Sequence, residues 1–232
     1  MREASYSVAG PSRFQQLVEV GVFLFIIVPS MAVSFVAGRL ESLDFTVVAL
    51  SNMLRDLALL SLVLYFVWSN GEGFGALGWR WRNAAREAAI GFILFVPFIV
   101  FSVLLSTGLH GAGLSGPQQA PSFLIPASGP QYLLSLFFLV VVAVSEETIF
   151  RGYLLLRFGA LTGRPVAAVL ISAVIFSLGH GYQGTAGVFG VGVLGIIFAL
   201  VYLWRGSLIA PVVIHFLQDF VGTVVVPLLG HR

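Results

Sequence analysis

Long apolar runs dominate the chain: FQQLVEVGVFLFIIVPSMAVSFVA near the start, AIGFILFVPFIVFSVLLST further on, and QYLLSLFFLVVVAV beyond that. About 20 such residues make a helix long enough to cross the hydrocarbon core of a bilayer. A helix also closes its own backbone hydrogen bonds, which lipid cannot do for it. Of the 232 residues 58% are hydrophobic and 9% charged. Soluble domains carry roughly a quarter charged residues, so this stock cannot build a water-facing surface. The expected fold is all-α: a polytopic membrane bundle of about seven transmembrane helices, one integral-membrane domain over residues 1–232.

Spans are placed at Phe14–Ala37, Phe45–Trp68, Ala88–Thr107, Tyr132–Leu156, Pro165–His180, Thr185–Trp204 and Leu208–Leu228. Asn52, Arg55 and Asp56 interrupt the second, which on this reading begins as an interfacial helix and enters the membrane near Leu57. The first has a signal-peptide look, since Pro29 precedes SMAVS. Its apolar run continues to Ala37 with Glu19 inside it, so a retained span is expected. With the N-terminus in the cytoplasm, Arg2, Arg13, Arg80, Arg82, Arg86, Arg157, Arg164 and Arg205 are cytoplasmic, against Arg39 and Arg232 outside. That bias follows the positive-inside rule and suits a protein of the cytoplasmic membrane. Trp79 and Trp81 fit an interfacial belt.

The net charge of +2 reflects few charges of either sign, and no basic cluster interleaved with aromatics points to nucleic acid. Cysteine is absent, which removes disulfides, thiolate metal sites and cysteine nucleophiles. The segment LHGAGLSGPQQAPSFLIPASGPQ reads as an outer connecting loop without regular structure.

Polar residues interrupt the last spans, in residues 131–228. In SEETIFRGY, Glu147 and Arg151 are four apart and share a helix face, with the glutamate N-terminal as such pairs favour. They read as a structural ion pair. Glu146 points about 100° away and is left without a partner, and an unpaired acid at membrane depth is a functional candidate. FSLGHG closes the next span with Phe176 and His180 on one face. IHFLQDF brings His215 and Asp219 to one face, four apart.

Depths agree. Counted from the cytoplasmic ends of their spans, Glu146 lies ~16 Å in, His180 ~22 Å, His215 ~12 to 15 Å and Asp219 ~18 to 21 Å. A carboxylate, two imidazoles and a second carboxylate at one level are the material of a hydrolytic site. Two versions stand. In one, Glu146, His180, His215 and Asp219 supply ligands to a divalent metal such as zinc. In the other, Glu146 is general base on a water held with His180, and His215 and Asp219 stabilise the oxyanion, Asp219 doing so only when protonated.

The set EETIFR, FSLGH and HFLQD, in that order on successive helices, resembles the CPBP intramembrane proteases, also called Abi or CAAX-protease-like, which include the type II CAAX prenyl endopeptidases. That pattern is Glu-Glu-x-x-x-Arg, Phe-x-x-x-His and His-x-x-x-Asn/Asp. The resemblance implies that Glu146 and His180 activate water, that His215 and Asp219 complete the site, and that Glu147 and Arg151 support it. It further implies a peptide or lipidated-protein substrate in the bilayer. Prenyl endopeptidases usually have asparagine where this chain has Asp219, which weakens the CAAX substrate more than the enzyme. Competing readings are a proton-coupled carrier using the same ionisable groups and a non-catalytic immunity or scaffold protein.

Two features stand apart. Gly184, Gly187, Gly192 and Gly195 line one arc of a helix and suit close packing. Arg55 and Asp56, being adjacent, are expected to seek separate partners.

Overall fold

The computed structural model describes residues 10–37, 43–117 and 121–230. Arg2, Arg39 and Arg232 of the topology count lie outside them. The described chain is helical and without strands: α1 Arg13–Ala37, α2 Phe45–Ser69, α3 Ala84–Gly111, α4 Gly129–Glu146, α5 Leu155–Thr162, α6 Pro165–Leu178, α7 Gly184–Arg205, α8 Ile209–Phe220 and α9 Val226–Gly230. Two π-helical stretches, Glu147–Leu154 and Val221–Val225, join α4 to α5 and α8 to α9 without a break in the rod. Six rods are long and apolar enough to cross a membrane, with α4 to α5 forming a single one over Gly129–Thr162.

Outward faces carry the apolar side chains, with Phe25 82% and Phe14 75% exposed, while Glu19, Asp56, Glu87, Glu147, Arg151 and Arg157 are buried. This inversion of the soluble pattern marks an integral membrane protein.

Three details differ from the sequence expectation. The second span is one unbroken helix from Phe45 to Ser69. Asp44 caps it, accepting from the backbone N–H of Thr46 at 2.8 Å and Val47 at 3.3 Å. That first-turn cap outweighs the polar residues further in. The fifth apolar segment is a helix of 14 residues ending at Leu178. At 1.5 Å per residue it rises ~21 Å, short of a core ~30 Å thick. Gly163 in the left-handed conformation and Pro165 at the first turn set its start, and its early end leaves His180 inside the layer. The loop after α3 includes a short 3-10 turn, Ser122–Leu124, and is pinned to α7: the Ala186 N–H donates to Ser115 O at 2.9 Å, and Ser115 N–H donates to Thr185 Oγ1 at 3.0 Å.

The arginine-bearing ends gather on one side. Arg13 donates to Leu161 O at 2.6 Å. Arg157 clasps Glu19 at 2.8 Å and Glu72 through both terminal nitrogens, and Tyr153 donates to Glu19 at 3.0 Å. Arg205 grips Glu87 with two bonds of 3.0 and 2.7 Å. Helix α2 packs on α4, α3 on α8, and α6 on α7. The glycine arc contributes unevenly. A side chain at Gly195 would meet Phe176 at 3.2 Å, one at Gly192 would only touch Ser177, and Gly187 faces its own neighbour Gln183. Gly184 is a turn glycine, with φ +70° and Ser115 O 2.7 Å from where a β-carbon would sit.

Candidate active site

The sequence EETIFR sits where the α-helix widens into a π-helix, a distortion frequent at functional sites. The i, i+4 pair survives it: Arg151 Nη1 donates to Glu147 Oε1 at 2.9 Å, both side chains being essentially inaccessible. The guanidinium lies 4.1 Å from the ring centroid of Phe176 and 4.9 Å from that of Phe198. Desolvated contacts of this kind hold a cation that lipid would otherwise reject.

Glu147 does more than pair. Its Oε1 also lies 2.8 Å from Nδ1 of His215 on α8. An ionised carboxylate can only accept, so Nδ1–H donates and the ring is fixed. Nε2 then points between Glu146 Oε2 at 3.7 Å and Asp219 Oδ2 at 3.4 Å. Lone pairs facing one another would repel, so the proton that the cluster needs sits between Nε2 and these carboxylates. Phe198 stacks on the imidazole with centroids 5.3 Å apart, and Phe176 meets its edge at 6.2 Å.

Glu146 is the acid left over by the pair, as expected, but its direct neighbour is His215 rather than His180. Its Oε2 is buried without a hydrogen-bond partner. His180 packs on Phe176, ring centroids 4.9 Å apart. Its Nδ1 lies 3.0 Å from Phe176 O, and a carbonyl accepts only, so the neutral ring presents a free lone pair at Nε2. Asp219 is more open than Glu146 or His215, with its side chain 27% exposed.

Sequence reasoning missed two partners. Arg55 and Asp56 do pair with each other, Nε to Oδ1 at 2.9 Å, because the long arginine side chain folds back over one residue. That corrects the expectation of separate partners. Both lie in charge range of Glu146, and Asp56 is also in range of His180, so α2 supplies a wall of the site. Asp56 Oδ2 is buried and unpartnered, as is Glu146 Oε2 across from it. Buried polar atoms without protein partners call for water.

The metal version requires at least three ligands closing on one point. Among the described residues no three His, Asp or Glu side chains are disposed to hold a metal ion.

A helical membrane bundle holds a carboxylate-bound histidine that faces two acids. Residues 128–221, which carry all three polar elements, match the family model "Type II CAAX prenyl endopeptidase Rce1-like". The chain is similar to that family over this segment. It is 29% identical over 138 residues to the membrane-embedded CAAX protease MroQ of Staphylococcus aureus (strain USA300). That match covers 57% of this chain and 54% of MroQ, so the chain spans about half the length of this curated relative. No solved structure matches the chain.

Proposed function

We propose that the protein is an intramembrane endopeptidase that hydrolyses peptide bonds with water activated by Glu146 and His180. The observation that carries this reading is the fixed imidazole of His215, anchored at Nδ1 by Glu147 and presenting Nε2 to Glu146 and Asp219. The match of residues 128–221 to a prenyl endopeptidase family model supports a protease.

In this reading Glu146 takes a proton from a water molecule whose second hydrogen is accepted by Nε2 of His180. The hydroxide attacks the peptide carbonyl carbon and the carbonyl electrons move to oxygen. His215 donates from Nε2 to the oxyanion, with Asp219 keeping the proton there. Glu146 returns its proton to the leaving nitrogen as the carbon–nitrogen bond breaks. Burial serves the chemistry, since a dry wall makes each of these interactions stronger than in water. The substrate class is a membrane-associated peptide, including lipidated C-terminal tails. The N-terminus and the arginine-rich ends are assigned to the cytoplasm.

The test is cleavage of a farnesylated CAAX peptide by the purified protein in liposomes, with Glu146→Gln and His180→Ala as comparisons. Hydrolysis by wild type, lost in both variants, supports the roles. Full activity in either variant overturns them. Proton-coupled solute uptake without cleavage would favour a carrier. One equivalent of metal per active chain, lost in His215→Ala, would favour a divalent ion on Glu146, His180, His215 and Asp219.

A further inference from the structure

An apolar slot of about 740 Å³ opens between α2 and α3, away from the reactive cluster. Its floor is α4, the π-helical stretch after it and α8, through Val144, Thr148 and Val213; its walls include Leu60, Leu64 and the small side chains of α3. The size falls within the roughly 300–1,000 Å³ of sites that enclose small ligands. None of Glu146, His180, His215 or Asp219 lines it.

The slot has a definite depth and a definite mouth. Its deepest residue on α2, Leu60, precedes the helix end at Ser69 by nine positions, ~14 Å of rise. That is about half of a core ~30 Å thick, the reach of one acyl chain in one leaflet. Trp79 and Trp81 stand at the mouth, their rings stacked 5.3 Å apart, and Trp79 Nε1 donates to Thr148 Oγ1 at 3.2 Å. Stacked indoles at a helix start mark the level of lipid headgroups. Arg82 lies in the short 3-10 turn Trp81–Asn83 before α3 and Arg86 in the first turn of α3, each one residue along from a slot-lining residue, Trp81 and Ala85. Both are exposed, and neither forms an ion pair among the described residues. At this end the buried Arg157 and the half-buried Arg205 are instead neutralised by Glu19, Glu72 and Glu87.

We infer that this slot is a binding site for an anionic phospholipid, with one acyl chain between α2 and α3 and the phosphate at Arg82 and Arg86. The chain of a zwitterionic lipid gains as much from the slot, since lipid and slot are equally apolar. Selection therefore comes from the headgroup, and each arginine at a membrane surface contributes about fivefold.

Tryptophan quenching tests this. Trp68→Phe with Trp204→Phe leaves Trp79 and Trp81 as reporters, in vesicles of phosphatidylcholine containing a minor fraction of chain-brominated phosphatidylglycerol. Quenching above the mole fraction is expected, and brominated phosphatidylcholine at the same fraction should quench only in proportion. Arg82→Gln and Arg86→Gln should each lower the preference about fivefold, Arg82→Lys should retain it, and Ala85→Phe should abolish it by filling the slot. Equal quenching by the two lipids, or an unchanged preference in the double glutamine variant, overturns the inference. So does protection of the reporters by a farnesylated peptide alone, which would give the slot to substrate. Peptidase activity is measured separately, so failure here leaves the hydrolytic reading intact.

Discussion

Oε1 of Glu147 lies 2.8 Å from Nδ1 of His215, so the residue beside the candidate base orients the imidazole that faces it. The same oxygen receives Arg151 at 2.9 Å. One carboxylate thus ties the π-helical stretch to α8 and balances the buried guanidinium.

Glu147→Gln is therefore expected to act on chemistry as well as on stability. With its anchor neutral, His215 loses the charge that orients the ring and supports its proton, and the cleavage rate should fall by roughly 10²–10⁴. Rate measurements on folded variant, set beside its unfolding temperature, separate the two effects. A rate unchanged per folded molecule would make Glu147 purely structural.

Arg151→Met should be severely destabilising, by about 3–5 kcal/mol, because it strands a buried carboxylate. The double variant with Glu147→Gln should cost less than the two singles together, since neither charge is then left alone. A thermal-unfolding cycle in detergent checks this; strict additivity would mean the pair does not interact.

Packing around Arg151 makes Gly195 sensitive. A β-carbon there would lie 3.2 Å from the Phe176 ring and 3.5 Å from both Ala173 and Arg151 Nη2. Gly195→Val should cost about 1–3 kcal/mol and lower activity by moving Phe176, whose ring packs on both His180 and His215. Gly190→Ala, whose nearest neighbour would be Leu109 at 3.6 Å, is the control and should change little.

Far from the site, Arg157 joins α1, the segment after α2 and α5 through Glu19 and Glu72. Arg157→Ala should destabilise by about 3–5 kcal/mol by leaving two acids in a poorly solvated contact. Activity per folded molecule should stay at the wild-type level, which distinguishes this clasp from the reactive cluster.

The rods were readable because apolar length decides a membrane helix without help from tertiary contacts, and the Glu147–Arg151 pair was readable because i, i+4 spacing is local. What the chain did not disclose was tertiary or conformational. Nothing near His215 announces Glu147 as its partner, since 68 positions separate them. The π-helix at Glu147–Leu154 has no periodicity of its own in an apolar sequence. The Arg55–Asp56 pair was misread because the face rule treats side chains as rigid, whereas arginine reaches back over its own turn. His180 came out at useful depth only because α6 stops after 14 residues.

Hydrolysis in ¹⁸O-water by the wild-type protein and by Glu146→Gln tests the central claim most directly. The account predicts one ¹⁸O atom in the new peptide carboxyl group from the first turnover, and a rate lower by roughly 10²–10⁴ in the variant. A first turnover that delivers unlabelled oxygen from the protein, or a variant that cleaves as fast as wild type, would contradict it.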